Sequence, residues 1–169
     1  MFDLASKVTG VCLWDIKNKK PVTTFVIQVK NNEELGIASL HKQIDILFKN
    51  LENNFQITKD QILVSKEQAP IQVHNKFTTA QTLISLGKSH AVLDLYCYNN
   101  NIDVYDYVGV APITTHCYFK KVTDWPKERP VAKDDIRDYL YSIKEYNLQD
   151  ISLDESDAVF LAKTLVELH

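Results

Sequence analysis

Four acidic residues stand at places in the sequence where carboxylates could work together. Asp3 ends a short apolar start, and Glu67 follows the apolar run of residues 62–65. Asp154 and Asp157 open the last predicted helix. Hydrolysis of a phosphodiester needs an activated water and stabilised charge on the attacking and leaving oxygens, which two Mg²⁺ ions about 4 Å apart can provide. Because such hard cations prefer oxygen ligands, a cluster of these carboxylates would suit metal-dependent cleavage of a nucleic acid.

Each acid also has an ordinary structural explanation when it is taken alone. Asp3 could cap the tight turn that the following Ser-Lys-Val-Thr-Gly stretch predicts. Glu67 could be an exposed charge at the end of a strand. Residues 152–155 match a capping box, and acids are favoured in the first turn of any helix, which would account for Asp154 and Asp157. The hypothesis of a shared site therefore depends on the combination of all four.

The elements that would position the first two acids form an α/β pattern. Residues 11–16 and 22–29 are apolar or β-branched runs around a turn rich in lysine, which predicts a hairpin and, with the first strand, three antiparallel strands. Apolar residues at three- and four-residue spacing within residues 33–55 predict a helix that covers the sheet. A returning strand at residues 62–65 would complete a mixed sheet and bring both acids to one crevice.

The second half of the chain contains both clear and ambiguous segments. Three have a clear periodicity: a helix at residues 77–86, a strand at residues 102–108 and a helix at residues 133–146. Residues 91–98 fit either a buried strand or a continuation of the preceding helix across Gly87. The prolines within residues 111–130 predict a loop. The last helix is predicted to begin near Asp154.

Composition limits the class of protein. The chain has 169 residues, of which 45% are hydrophobic, and this predicts one globular domain spanning residues 1–169. No apolar run reaches the roughly 20 residues of a membrane span, and we expect no signal peptide. The three cysteines are odd in number and widely spaced, which disfavours a disulfide framework or a zinc site and favours a reducing cytoplasm. The five histidines are not spaced as zinc ligands either. The net charge of −3 does not predict a general nucleic-acid coat protein, although a local basic face could contact phosphates.

Several short motifs follow one another along almost the whole chain. They are Asp3 with Ser6, Thr9 and Gly10; Glu67 with Gln68; Leu86 with Gly87; residues 104–107; and residues 154–158. In this order they resemble the RuvC family of Holliday-junction resolvases, and the small, divergent chain is most similar to phage-encoded members. The resemblance implies an α/β, RNase H-like fold with a mixed five-stranded sheet flanked by helices. It also implies a homodimer whose two active sites nick opposed strands of a four-way DNA junction.

The resemblance assigns roles to individual residues. The catalytic, metal-binding acids would be Asp3, Glu67, Asp154 and Asp157. They would hold two Mg²⁺ ions per active site, with Mn²⁺ as a substitute. The residues that contact DNA would be Ser6, Lys7 and Lys133, the last of them near the scissile phosphate. Such an enzyme would act in the cytoplasm of a bacterium, or of the host if it is phage-encoded.

The chain also departs from the family pattern. Only two residues precede Asp3, so we expect a shorter first strand. Bacterial members place an aromatic residue shortly after the catalytic Glu, where this chain has Pro70; Phe77 could substitute, but it suits a helix core better. Residues 112–114 replace a second lysine of the family. We therefore expect cleavage that selects branched DNA by its structure and depends only weakly on sequence.

Other classes of function also fit parts of the sequence. An RNase H-like nuclease acting on RNA would need the same acids. A non-catalytic nucleic-acid-binding scaffold could keep the fold, but it would be expected to lose metal ligands. An ATP-binding protein of the actin-like superfamily would also place an Asp before a small-residue turn, yet a second phosphate loop is missing from this chain, which has four glycines. Assays with DNA junctions, RNA hairpins and ATP separate these classes.

Overall fold

The computed structural model describes residues 1–5, 7–28, 36–69, 80–106 and 109–168. The predictions that concern Ser6, Pro70, Phe77 and the end of the strand at residues 102–108 lie outside the described residues. Within these ranges, no helix has both the length and the apolar character that crossing a membrane requires.

An antiparallel sheet forms from the first part of the chain. Its three strands lie side by side in the order β1 (Phe2–Asp3), β2 (Val8–Asp15) and β3 (Lys20–Gln28). The predicted hairpin and the short first strand are therefore confirmed. Thr9 and Gly10, which the sequence placed in the first turn, belong to β2, and Gly10 pairs with Asp3.

A second, parallel sheet continues from the first. It consists of β4 (Leu63–Val64) and β5 (Asp103–Val104), so β5 is shorter than the predicted strand. A parallel bridge joins Phe2 to Lys66, and the Phe2 amide donates to the Ser65 carbonyl at 2.8 Å. The five strands thus follow the order β3, β2, β1, β4, β5, divided between two sheets. The prediction of a mixed α/β architecture is confirmed.

Two long helices cover one face of the sheets. They are α1 (Gly36–Phe55) and α2 (Ala80–Asn99), and their buried residues share a core with the strands, including Phe2, Ile44, Phe48 and Leu93. Residues 91–98, which the sequence left ambiguous, are helical. A Cβ added at Gly87 would meet no atom within 4 Å, so the glycine lies in open space and the helix continues through it.

Three helices cover the opposite face. They are α3 (Pro112–Val122), α4 (Lys133–Ser142) and α5 (Leu153–Leu168), and a second core joins them to β2. The prediction of a loop across residues 111–130 was wrong for α3, because Pro112 lies in the first turn, where no helical hydrogen bond needs its N–H. The helix predicted at residues 133–146 ends at Ser142 and is followed by a 3₁₀ turn.

Candidate active site

Asp3, Asp154 and Asp157 lie within reach of a single cation. Asp3 ends β1, and the other two acids lie three residues apart at the start of α5. Each offers one carboxylate oxygen, and these oxygens all lie within 4.8 Å of one another. All three residues are partly buried. The structure therefore brings three of the four predicted acids to one point.

Glu67 reaches this group from the neighbouring sheet. It follows β4, bridges to Val110 and shares a side-chain hydrogen bond with Asp3. Burial and repulsion from Asp3 and Asp157 raise the pKa of Glu67 to about 8. Burial and repulsion from Asp157 raise the pKa of Asp3 to about 6. The hydrogen bond raises the pKa of Glu67 and lowers that of Asp3, so Glu67 is the partner that holds the proton and donates to Asp3.

The Lys133 ammonium lies between the two aspartates of α5. Its Nζ is 2.5 Å from Asp157 Oδ2 and 3.1 Å from Asp154 Oδ1. Burial alone would lower the pKa of Lys133, but the hydrogen bonds with Asp157 and Asp154 outweigh it and raise this pKa. Burial raises the pKa of Asp157 in spite of its lysine partner. A charged lysine thus neutralises part of the acid cluster.

The predicted capping box fixes the first turn of α5. The Ser152 amide donates to Glu155 Oε2 at 2.8 Å, and the Glu155 amide donates to Ser152 Oγ at 3.2 Å. Thr24 Oγ1 also donates to Glu155 Oε1 at 2.7 Å, which ties this turn to β3. Glu155 is therefore a structural acid that orients the two aspartates beside it.

Two glycines allow the acid-bearing segments to approach closely. A Cβ at Gly10 would overlap the backbone carbonyl of Asp154, because β2 touches the first turn of α5 there. Gly109 has a φ of 89°, and a Cβ would lie 2.7 Å from the Lys66 carbonyl oxygen. Neither position accepts a side chain without backbone movement. The sequence motif drew attention to Gly10 as a turn residue but did not reveal its contact with α5, and Gly109 carried no signal.

We expect Gly10→Ala to push α5 away from β2. Overpacking of this kind lowers the free energy of unfolding by about 1 to 3 kcal/mol, and it should weaken metal binding because Asp154 and Asp157 move with the helix. Urea unfolding and Mn²⁺ titration measure both effects. Gly87→Ala is the matched control: its Cβ meets no neighbour, so the variant should gain about 0.5 to 1 kcal/mol from helix propensity. Unchanged stability in Gly10→Ala would contradict the close contact.

A cavity of about 290 Å³ opens beside the acids. It is lined by four of the predicted site residues, Asp3, Glu67, Lys133 and Asp157. The N-terminal turns of α3 add Thr115 and His116 to the lining. Thr115 is buried, and its Oγ1 has no hydrogen-bond partner among the described residues. Sequence reasoning missed both because their segment was predicted to be a loop.

Directly before Glu67, Lys66 is buried in the interior with 1% of its side chain exposed. Its Nζ lies 2.5 Å from Asp94 Oδ1 on α2, whose side chain is 30% exposed. Burial, followed by the charge of Lys66, lowers the pKa of the neighbouring His90. The ion pair therefore holds the segment that carries Glu67 against α2, and no sequence pattern pointed to it.

Of the residues predicted to contact DNA, Lys133 lies beside Asp154 and Asp157. Lys7 is exposed in the bend between β1 and β2, so its side chain does not pack in the core. Ser6 lies outside the described residues. The geometry thus places one of the predicted basic residues directly at the candidate site.

Taken together, the fold is a mixed α/β sheet between two helical layers, with carboxylates gathered at the end of its central strand. No protein-family model and no curated protein sequence matches the chain. Among solved structures, T. thermophilus RuvC in complex with a Holliday junction substrate is similar, with a TM-score of 0.64 and 12% identity over 96% of this chain and 89% of that chain. A second Thermus thermophilus RuvC structure has a TM-score of 0.63 and 13% identity, with the same coverage. The chain therefore has a RuvC-like fold.

The donor set of the acid cluster fits a hard divalent cation. All three ligand atoms are carboxylate oxygens, and Glu67 can add a fourth because it already contacts Asp3. Partial burial and mutual repulsion raise the pKa values of Asp3 and Glu67, so ionising these carboxyls in the folded chain costs free energy. A bound cation lowers that cost, because its positive charge offsets the repulsion. Oxygen-only ligands favour Mg²⁺ or Mn²⁺ over a softer metal such as Zn²⁺.

We expect the metal-free protein to lose stability as the pH rises from about 4 to about 8. The pKa of Asp3 rises from 3.8 to about 6 on folding, and that of Glu67 from 4.5 to about 8. The folded chain therefore binds more protons than the unfolded chain in this window. Stability from these groups is full below their ordinary pKa values and is lost as the pH passes the folded values. Thermal unfolding in EDTA measures the slope.

Cation binding should oppose this loss of stability at high pH. Because Mg²⁺ binds the ionised carboxylates, it should raise the unfolding temperature more at pH 8 than at pH 5. Glu67→Gln is the control, since it removes the acid whose pKa is raised furthest at this site and should flatten the slope between pH 6 and pH 8. An equal effect of Mg²⁺ at both pH values would contradict the assignment of the site.

Proposed function

We propose that the chain is a metal-dependent, structure-selective DNA endonuclease that resolves four-way (Holliday) junctions, and other branched DNA, by paired nicking. The proposal treats residues 1–169 as one nuclease domain with an RNase H-like sheet, acting in the cytoplasm. The observation that carries it is the convergence of Asp3, Asp154 and Asp157 within 4.8 Å, in a chain with a RuvC-like fold. The RuvC structure bound to a Holliday junction supports the choice of substrate.

In this proposal, the carboxylates of Asp3, Glu67, Asp154 and Asp157 hold two Mg²⁺ ions, or Mn²⁺ in their place. Bound divalent cations supply the positive charge that stabilises the attacking and leaving oxygens of the phosphodiester. The protein contributes the fixed positions of the acids. Asp3 is held by the β1–β2 pairing, and the aspartates of α5 are held by the capping box.

Lys133 has a second role in the proposed site. Its ammonium now neutralises Asp154 and Asp157, and half of its side chain is exposed at the cavity. When cations take over that charge, the lysine becomes available to a phosphate of the DNA. We propose that Ser6 and Lys7, in the segment after β1, also contact the phosphate backbone of the DNA. Such contacts would position the DNA without reading its sequence.

We also propose that the protein is a homodimer formed through the outer face of α2. Ile84, Leu95 and Tyr98 are 59%, 57% and 75% exposed, and with the exposed Lys88 and Ala91 they recur every three or four residues. This spacing makes one continuous stripe opposite the buried face of the helix. The stripe is apolar or aromatic at four of its five positions, which indicates an interface, and a two-fold axis would pack the stripe against its own copy. Two active sites on one junction would then account for paired nicks.

The oligomeric state tests this interface. Leu95→Glu should convert the protein to a monomer in sedimentation velocity experiments, because two buried carboxylates would face each other near the axis. Ile46→Glu, at an exposed apolar residue of α1, is the matched control and should leave the dimer intact. A wild-type protein that sediments as a monomer at micromolar concentration would contradict the proposed dimer.

The activity is tested by incubating the purified protein with a synthetic four-way DNA junction, in Mg²⁺ and in EDTA. A linear duplex, a three-way branch and an RNA hairpin serve as comparison substrates. Paired nicks in branched DNA that require Mg²⁺ support the proposal. Preferred cleavage of the hairpin would instead identify an RNA nuclease, and binding of the junction without cleavage would identify a non-catalytic scaffold.

A further inference from the structure

Three helices begin at the cavity beside the acids. Its lining includes Pro112 and Thr115 from the start of α3, Lys133 from the start of α4, and Asp157 from the N-terminal part of α5. The N-terminus of a helix carries a partial positive charge, because its first N–H groups have no partners within the helix. Three such helix ends therefore border the space next to the proposed cation site.

Two of these helix ends are closed by their own acidic side chains. In α4, Asp135 Oδ2 accepts from the Ala132 amide at 2.8 Å. In α5, Glu155 Oε2 accepts from the Ser152 amide at 2.8 Å, and the Glu155 amide donates to Ser152 Oγ. These bonds use the free amides and place negative charge at both helix ends. Neither end therefore offers an open site to a further anion.

The N-terminus of α3 lacks this closure. Its N-cap residue is Ala111, whose side chain accepts no hydrogen bond, and its first turn contains no acid. Pro112 has no N–H, and the Thr114 amide donates to the Ala111 carbonyl at 2.9 Å. Within the part of the chain that the structure describes, the Ile113 amide has no acceptor. An anion at this helix end would meet a positive end with an unused donor.

The Thr115 side chain supplies a second unused donor. Only 6% of Thr115 is exposed, it borders the cavity, and its Oγ1 has no hydrogen-bond partner among the described residues. The other buried hydroxyls of the described helices, those of Ser89, Ser156 and Thr164, each donate to a carbonyl of their own helix. A buried hydroxyl without a partner costs the folded chain free energy. Its retention at Thr115 indicates a ligand that binds in the cavity.

The remaining lining of the cavity favours a nucleotide over a free inorganic ion. It includes the apolar side chains of Val131, Ile136, Phe160 and Leu161. A small anion alone would leave this apolar surface uncovered, whereas the carbon atoms of a deoxyribose attached to the phosphate would cover it. The volume of about 290 Å³ is close to the lower limit of about 300 Å³ for small-ligand pockets. It therefore suits a short piece of a DNA strand.

We propose that the first turn of α3 binds a phosphate of the DNA strand, with Thr115 Oγ1 and the Ile113 amide as its donors. This site rests on the proposed function, which makes a DNA phosphodiester the anion in the cavity. Because the carboxylates are assigned to the scissile phosphate, the phosphate at α3 is its neighbour along the strand. The unpaired Thr115 hydroxyl lies beyond hydrogen-bond distance of those carboxylates, which leaves the two positions separate. Thr115 is thus a positioning residue that fixes the strand relative to the acids.

Binding of a short oligonucleotide tests this site without depending on cleavage. The probe is the thymidine trinucleotide dTpdTpdT in Ca²⁺, because its two phosphodiesters can occupy both positions. In an NMR titration, the probe should shift the amide resonance of Ile113. Thr115→Val should weaken its binding by about tenfold, since a methyl group replaces the donor at almost constant shape. Thr115→Ser keeps the hydroxyl and should bind the probe as the wild type does.

The unfolding temperature separates a ligand-binding hydroxyl from a structural one. In EDTA, Thr115→Val should raise this temperature by about 2 to 4 °C, because it removes a buried group that has no partner. Thr164→Val is the matched control. Thr164 Oγ1 donates to the Phe160 carbonyl at 2.8 Å, so its loss should lower the temperature by about 2 to 4 °C and leave probe binding unchanged. The Mn²⁺ affinity of both variants should equal that of the wild type.

The failure of this site and the failure of the proposed function give different results. Equal probe affinities of the wild type and Thr115→Val would overturn the site, and so would an Ile113 resonance that the probe does not shift. A lower unfolding temperature of Thr115→Val would also overturn it, because the hydroxyl would then have a structural role. Probe binding at Ile113 by a protein that nicks no junction would support the site and contradict the endonuclease. Junction nicking by Thr115→Val at the wild-type rate would overturn the site alone.

Discussion

Glu67→Gln and Asp154→Asn, each made alone, should reduce the rate of junction cleavage by about 10³-fold while the protein still folds and binds DNA. Each substitution removes one negative oxygen from the group that would hold the cations, at almost constant volume. A loss of this size corresponds to about 4 kcal/mol of transition-state stabilisation. Single-turnover cleavage measures the rate, and a gel-shift titration in Ca²⁺ measures junction binding.

The double variant shows whether the acids form one shared site or act as separate charges. If the acids act as one unit, the double variant should be no slower than the slower single variant. Asp138→Asn, an exposed acid on α4, is the matched control and should cleave at the wild-type rate. Cleavage within tenfold of wild type in either single variant would remove that acid from the proposed mechanism.

Asp94→Leu should lower the free energy of unfolding by about 3 kcal/mol, because it leaves the Lys66 ammonium buried without a partner. The double variant Lys66→Met/Asp94→Leu should recover most of this loss, since well-packed apolar residues often replace a buried ion pair without cost. Urea unfolding of the two single variants and the double variant forms a double-mutant cycle that measures the coupling.

An exposed ion pair on α4 provides the comparison for the buried pair of Lys66 and Asp94. Arg137 and Asp134 lie on one face of α4, with 30% and 63% of their side chains exposed, and Asp134→Asn should cost less than about 1 kcal/mol. A similarly small cost for Asp94→Leu would show that Lys66 finds water or another partner. Because Lys66 precedes Glu67, the double variant also tests whether the charge itself, or only a well-packed neighbour, keeps Glu67 in place.

Local patterns predicted the elements whose structure depends on nearby residues. The hairpin of β2 and β3, the helix α1 and the start of α5 were all recognisable from alternation, from helical spacing or from the capping box. The approach of Asp3 to the aspartates of α5 followed from the order of the motifs and from the family resemblance. Lys133 was placed near the scissile phosphate by resemblance, and the structure puts it against Asp154 and Asp157.

Features that depend on distant contacts could not be predicted in this way. Gly10 is required by the carbonyl of Asp154, which lies at the other end of the sequence. The burial of Lys66 depends on Asp94 of α2, and no pattern in the sequence pointed to this ion pair. The helix α3 was mistaken for a loop because proline was counted as a helix breaker, although Pro112 lies in the first turn, where proline is favoured.

The candidate site takes its first acid from the first strand and its last two acids from the final helix. During synthesis, α5 leaves the ribosome after β1 and α4, so the acid cluster cannot assemble before α5 has emerged. The lysine that neutralises the aspartates comes from α4, which a 3₁₀ turn separates from α5 in the chain. Any activity that depends on these acids therefore requires α5 to have been made and packed against β1 and β2.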